Sequence, residues 1–132
     1  MKAIAGGCLC GSVRYESAGS PVRSTLCHCS SCRRSSGTHV LGLVTVARKG
    51  FQFTAGAPAE HRSSPPVVRT FCSTCGTPLT YWHEGWPDEI ALTVGSLDAP
   101  DDAPPTDHTW MSEAISWDKP TDELRQYQTD RP

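Results

Sequence analysis

The sequence predicts a small, mainly β domain of short antiparallel strands stapled by zinc. Three observations lead there. β-Branched or aromatic runs recur between turn signals, no window of a dozen residues carries an apolar i, i+3, i+4, i+7 stripe, and seven cysteines fall into three tight groups. At 132 residues the chain suits one domain, 1–132, with its core over about 4–128. Hydrophobic residues make up 37%, and Gly and Pro supply 11 each, so the core is small and turns are many. A structural metal is one way to hold such a chain together.

In chain order the strand candidates are Ser12–Tyr15, Val40–Val46, Phe51–Thr54, Val67–Phe71, Leu79–Trp82 and Ile90–Val94. Each is rich in side chains that fit a pleated surface. Turn signals at Ala18–Pro21, Lys49–Gly50, Gly56–Pro58, Ser63–Pro66 and Gly85–Asp88 separate them. Asp98–Asp107 reads as a Pro- and Asp-rich loop, with Asp101 and Asp102 solvated, leading into a covering segment Thr109–Trp117. Trp82, Trp86, Trp110 and Trp117 read as core or pocket wall. Thr129–Pro132 reads as a frayed end.

Charge and hydropathy exclude several classes. A formal charge of −2 and a pI near 6.2 give no basic footprint for nucleic acid. No stretch is long and apolar enough to span a membrane. Met1–Cys10 is too short and too Gly-rich for a signal-peptide core, and the same holds against a lipid anchor at Cys8. An odd cysteine count without an export signal suggests a reducing, cytoplasmic setting, where clustered cysteines more often bind metal than form disulfides.

Thiols two or three residues apart cannot easily bridge each other, but they can share an ion. Cys8 and Cys10 form C-x-C, and in an extended chain alternate side chains share a face, so both sulfurs can reach one ion. Cys72 and Cys75 form C-x-x-C ahead of Gly76, which can take a positive φ in a zinc-knuckle turn. Together the two pairs make a four-cysteine structural site. Cys27, Cys29 and Cys32 remain, enough for a zinc with one open position suited to chemistry. A closed alternative adds one histidine. His28 would point away from its neighbours' focus in an extended chain, so His39, His83 or His108 are the candidates. Another partition of the thiols leaves less symmetric sites.

These clusters resemble the glutathione-dependent formaldehyde-activating enzyme family of carbon–sulfur lyases. The likeness rests on three motifs in order: Gly6-Gly7-Cys8-Leu9-Cys10-Gly11-Ser12-Val13-Arg14-Tyr15, Cys27-His28-Cys29-Ser30-Ser31-Cys32-Arg33 and Phe71-Cys72-Ser73-Thr74-Cys75-Gly76-Thr77-Pro78-Leu79, with His108-Thr109-Trp110 and Trp117 behind them. The resemblance implies a small β-tent fold with two zinc ions per chain. It implies that Cys8, Cys10, Cys72 and Cys75 hold a structural zinc and that Cys27, Cys29 and Cys32 hold a catalytic one.

It further implies a zinc-dependent lyase acting on a thiol–aldehyde adduct, S-(hydroxymethyl)glutathione or a relative, with a small-molecule thiol such as glutathione as partner. Three thiolates around a divalent zinc leave a net charge of −1, so a nearby cation would help an anionic substrate approach. Arg33 and Arg34 are nearest in sequence. Arg62 and Arg69 could also meet glutathione carboxylates, though nothing in the sequence selects them. The alternatives are a zinc-stabilised binding module without catalysis and a redox sensor built on Cys27, Cys29 and Cys32. The sequence leaves the oligomeric state open.

Overall fold

The computed structural model describes residues 3–131. Among these described residues eleven strands form two sheets, accompanied by one short α-helix. The smaller sheet joins β1 (Ile4–Gly7), β2 (Arg14–Ser17) and β5 (Phe51–Ala55) in the order β1-β2-β5. The larger sheet contains β3 (Arg23–Cys27), β4 (Leu41–Ala47), β6 (Ala59–Ser64), β7 (Val67–Phe71), β8 (Pro78–His83), β9 (Glu89–Thr93), β10 (Asp107–Thr109) and β11 (Arg125–Gln126). Its order is β11-β10-β3-β4-β9-β8-β7-β6.

The two faces of the larger sheet explain the residue pattern of its centre. Strand β4 is buried on both sides, so it reads as a nearly unbroken apolar run. Val44 and Val46 point into one cluster with Tyr15, Leu79, Ile90 and Leu92, against which Phe51 and Phe53 of the smaller sheet pack. Leu41 and Leu43 point the other way, into a cluster with Cys27, Cys32 and Ala91. The smaller sheet therefore covers one face, and the three-cysteine segment covers part of the other.

All six expected strands are present, most with a residue or two of shift, but five more had no signal. Strand β6, Ala-Glu-His-Arg-Ser-Ser, is an exposed edge, where charged side chains block further pairing. Strands β1, β3, β10 and β11 are short or polar and form only through their neighbours. Not every pairing is antiparallel, because β10 runs parallel to both β3 and β11. A helix, α1 (Ser30–Ser36), also escaped periodicity: it is two turns long and carries no apolar stripe. Cys29 caps its N-terminus, its sulfur accepting the Cys32 N–H at 3.3 Å. Gly37 ends it in the left-handed region at φ 75°.

Three expectations are corrected. Cys8–Cys10 is a turn, not extended chain: Gly11 N–H donates to the Cys8 carbonyl at 3.1 Å. Trp86 and Trp117 are 59% and 70% exposed, each beside a histidine at the surface, whereas Trp82 and Trp110 are partly buried as expected. The C-terminal segment is tied down through Arg131. Tyr127, Gln128 and Thr129 carbonyls accept from Met111, Ser112 and Trp110, and Arg131 pairs with the buried Asp107. Pro132, expected to fray with them, lies outside the described residues, as do Met1 and Lys2.

Candidate metal centres

The knuckle follows β7. Gly76 N–H returns to the Cys72 carbonyl at 2.8 Å, and Cys72 N–H reaches the Thr77 carbonyl at 3.0 Å. Gly76 sits at φ 81°, as the tight turn requires. This brings Cys72 and Cys75 to the turn that carries Cys8 and Cys10. The four sulfurs lie within 4.8 Å of one another. Cys8 and Cys10 are separated by 3.6 Å, and Cys10 and Cys72 by 3.8 Å. Four sulfurs each about 2.3 Å from a tetrahedral ion would stand about 3.8 Å apart, so the donor set fits zinc closely. Backbone donors already face the sulfurs: Val13 N–H points at Cys8 at 3.2 Å, and Thr74 and Cys75 N–H at Cys72 at 3.4 Å. A hydrogen bond from the Thr77 hydroxyl leads the causes that draw the Cys75 thiol down to about 5.

The second group is local. Cys27 ends β3, Cys29 caps α1 and Cys32 lies in its first turn, so strand, cap and helix present three sulfurs to one point. They too lie within 4.8 Å of one another, and among the described residues no fourth His, Cys, Asp or Glu atom joins the group. Hydrogen bonding from Cys27, then Cys32, pulls Cys29 down to about 2, while the same bonding to Cys29 pushes Cys27 up. Three thiols this close cannot all ionise without a cation between them, and a soft divalent metal satisfies that demand.

The histidines that could have closed this site are engaged elsewhere. His28 is buried and points away, its Nε2 2.9 Å from Nδ1 of His108. His108 Nε2 meets Asp122 at 3.0 Å. The other ring nitrogen of His28 makes no hydrogen bond and lies 3.6 Å from Asp118, and burial lowers its pKa. His39 meets Asp118 at 2.8 Å, and His83 accepts the Gly85 N–H at 2.9 Å.

Arg33 and Arg34 differ. Arg33 donates to the main-chain carbonyls of His28 and Glu113, each at 3.4 Å, bracing the segment that carries the thiols. Arg34 is exposed on α1. A cation does stand beside the thiols: Arg69, 37 residues from Cys32 in sequence, with Nη1 and Nη2 at 4.0 and 3.9 Å from Cys32 Sγ. It lies over the Tyr81 ring, 4.9 Å from the centroid. Arg69 and Tyr81 also line a cavity of about 380 Å³ with Leu41, Leu43, His61 and Phe71. Leu41, Leu43 and Tyr81 belong to the same apolar cluster as Cys27 and Cys32, so the cavity adjoins the three-thiol group. No spacing rule connects Arg69 to Cys32; only the strand order does.

A sequence profile of the family described as glutathione-dependent formaldehyde-activating enzyme matches residues 3–113. A Halomonas elongata protein, provisionally named a glutathione-dependent formaldehyde-activating enzyme, is 28% identical over 110 residues, covering 77% of this chain and 70% of its own. A crystal structure of a Rhodobacter sphaeroides protein superposes with a TM-score of 0.59 at 25% identity, covering 71% of this chain and 87% of the other.

Proposed function

The chain belongs to the glutathione-dependent formaldehyde-activating enzyme family, and on that premise we propose that it is a carbon–sulfur lyase interconverting a thiol plus formaldehyde with the S-hydroxymethyl adduct. In the forward direction the thiol sulfur bonds to the carbonyl carbon. The π pair moves to the carbonyl oxygen, and the proton lost from the thiol ends on that oxygen. The reverse step breaks the same C–S bond.

The observation that carries this reading is the convergence of Cys27, Cys29 and Cys32, with no fourth ligand among the described residues, beside a cavity. A zinc held by these thiols would lower the pKa of a substrate thiol and offset charge developing on the carbonyl oxygen. The chain's own contribution is position. The cap and first turn of α1 hold the three sulfurs, while Leu41, Leu43 and Tyr81 supply an apolar wall that limits water. Cys8, Cys10, Cys72 and Cys75 take the structural role, with a second zinc.

The test is exchange between glutathione and its formaldehyde adduct, followed by NMR with zinc-loaded protein, with the uncatalysed rate subtracted. Acceleration by wild type and none by Cys29→Ser supports the lyase. No acceleration with metal in place would leave a zinc-stabilised binding module as the better account.

A further inference from the structure

The sequence leaves Arg62 and Arg69 equal as partners for a substrate carboxylate, and the fold separates them. Strand β7 pairs with β6 and β8 so that His61, Arg69 and Tyr81 stand in one row, and Arg62, Val68 and Trp82 in the next. Side chains alternate across a sheet, so the two rows face opposite ways. The Arg62 row lines a separate groove with Glu60 and Phe53, and Arg62 is already paired with Glu84 at 2.6 Å. The Arg69 row faces the three thiols.

Arg69 is held but not neutralised. Its Nε donates to Ser63 Oγ at 3.1 Å, its ring partner is Tyr81, and its two terminal nitrogens face Cys32 Sγ at 4.0 and 3.9 Å. Three of the guanidinium's five N–H groups are so directed, leaving two for a ligand. Among the described residues no carboxylate pairs with it, and the cavity it lines contains His61 but no acidic side chain. Three thiolates on a divalent ion carry excess negative charge, which would repel an anionic thiol unless a fixed cation stood beside them.

We propose that Arg69 is the specificity-determining residue of this cavity, pairing with a carboxylate of the thiol whose sulfur meets Cys27, Cys29 and Cys32. The proposal rests on the thiol reading above. It separates a carboxylate-bearing thiol such as glutathione from a neutral one of the same size, because a guanidinium recognises the planar anion and not its ester.

The test is binding of S-methylglutathione and of its diethyl ester to zinc-loaded wild type, Arg69→Met and Arg62→Met, by NMR titration with metal content measured on each protein. The S-methyl group blocks the thiol, so the readout is independent of turnover. Wild type and Arg62→Met are expected to prefer the acid over the ester by about tenfold or more. Arg69→Met is expected to lose that preference while keeping wild-type metal content and ester affinity. No preference in wild type, a preference that survives Arg69→Met, or an equal loss for acid and ester would each overturn it. Turnover separates the two levels. Exchange accelerated equally for glutathione and its diethyl ester would sink the Arg69 assignment and keep the lyase. Arg69-dependent binding without any exchange would do the reverse.

Discussion

Tyr15 ties the smaller sheet to the turn after β9 through one side chain. Its ring is fully buried against Phe51 and Phe53, and its hydroxyl meets Ser96 Oγ at 2.6 Å. Burial pushes the phenol up to about 12, so it stays a neutral partner across the working pH range. Tyr15→Phe is expected to lower unfolding free energy by about 1 kcal/mol, read from urea denaturation, since Ser96 keeps its bond to Thr93. Gly6 lies against the same pair. A Cβ there would run into the Ser96 carbonyl and the end of the Tyr15 ring, whereas at Gly19 it would meet nothing within 4 Å. Gly6→Ala should therefore cost about 1–3 kcal/mol and Gly19→Ala far less. Equal midpoints for the two variants would refute the contact. The Gly6-Gly7 pair was visible in the sequence, but its reason was not, because Ser96 lies ninety residues away.

At the scale of elements, the two thiol groups constrain the chain very differently. Cys27, Cys29 and Cys32 lie within one strand end and one helical turn, so losing a ligand there frees little chain. The other group ties the turn after β1 to the knuckle after β7, and its Cys10–Cys72 contact closes a separation of 62 residues. A cross-link over that distance restricts the unfolded chain far more. Cys29→Ser should lose one metal equivalent and the activity while circular dichroism and thermal midpoint barely change. Cys75→Ser should lower the midpoint sharply. Similar midpoints in the two variants would contradict the division into catalytic and structural groups. Arg14 of β2 pairs with Asp98, holding the smaller sheet to the segment after β9. The guanidinium keeps the Asp98 carboxyl below the ordinary carboxylate range. A native pKa below the unfolded one adds stability above the unfolded value and loses it as pH falls through the native value. Asp98→Asn should thus flatten the acid limb of a stability–pH profile. At neutral pH it should cost less than about 1 kcal/mol, the pair being half exposed.

For the molecule as a whole, metal and fold should be inseparable. Elemental analysis of zinc-loaded protein is expected to give about two ions per chain. Exhaustive chelation should lower the thermal midpoint and broaden the transition, and readdition of zinc should restore both. A chelated chain that melts unchanged would argue against a structural metal. Much of this was legible beforehand, because ligand spacing is local. C-x-C, C-x-C-x-x-C and C-x-x-C-G announce thiols spaced to share an ion, and apolar runs such as Val40–Val46 and Val67–Phe71 announce buried strands. The edge strand β6, the two-turn α1 and the parallel β10 were silent, since polar edges and short elements draw their stability from neighbours and not from their own pattern. The sequence by itself determined the three thiol clusters, the mainly β character and the family likeness, all properties of residues a few positions apart. Only the tertiary structure decided that every candidate histidine is engaged away from the three thiols, and that Arg69, not Arg62, stands beside Cys32. Those relations depend on which strands pair and in what register, and register turns alternate residues of one strand to opposite sides of the sheet.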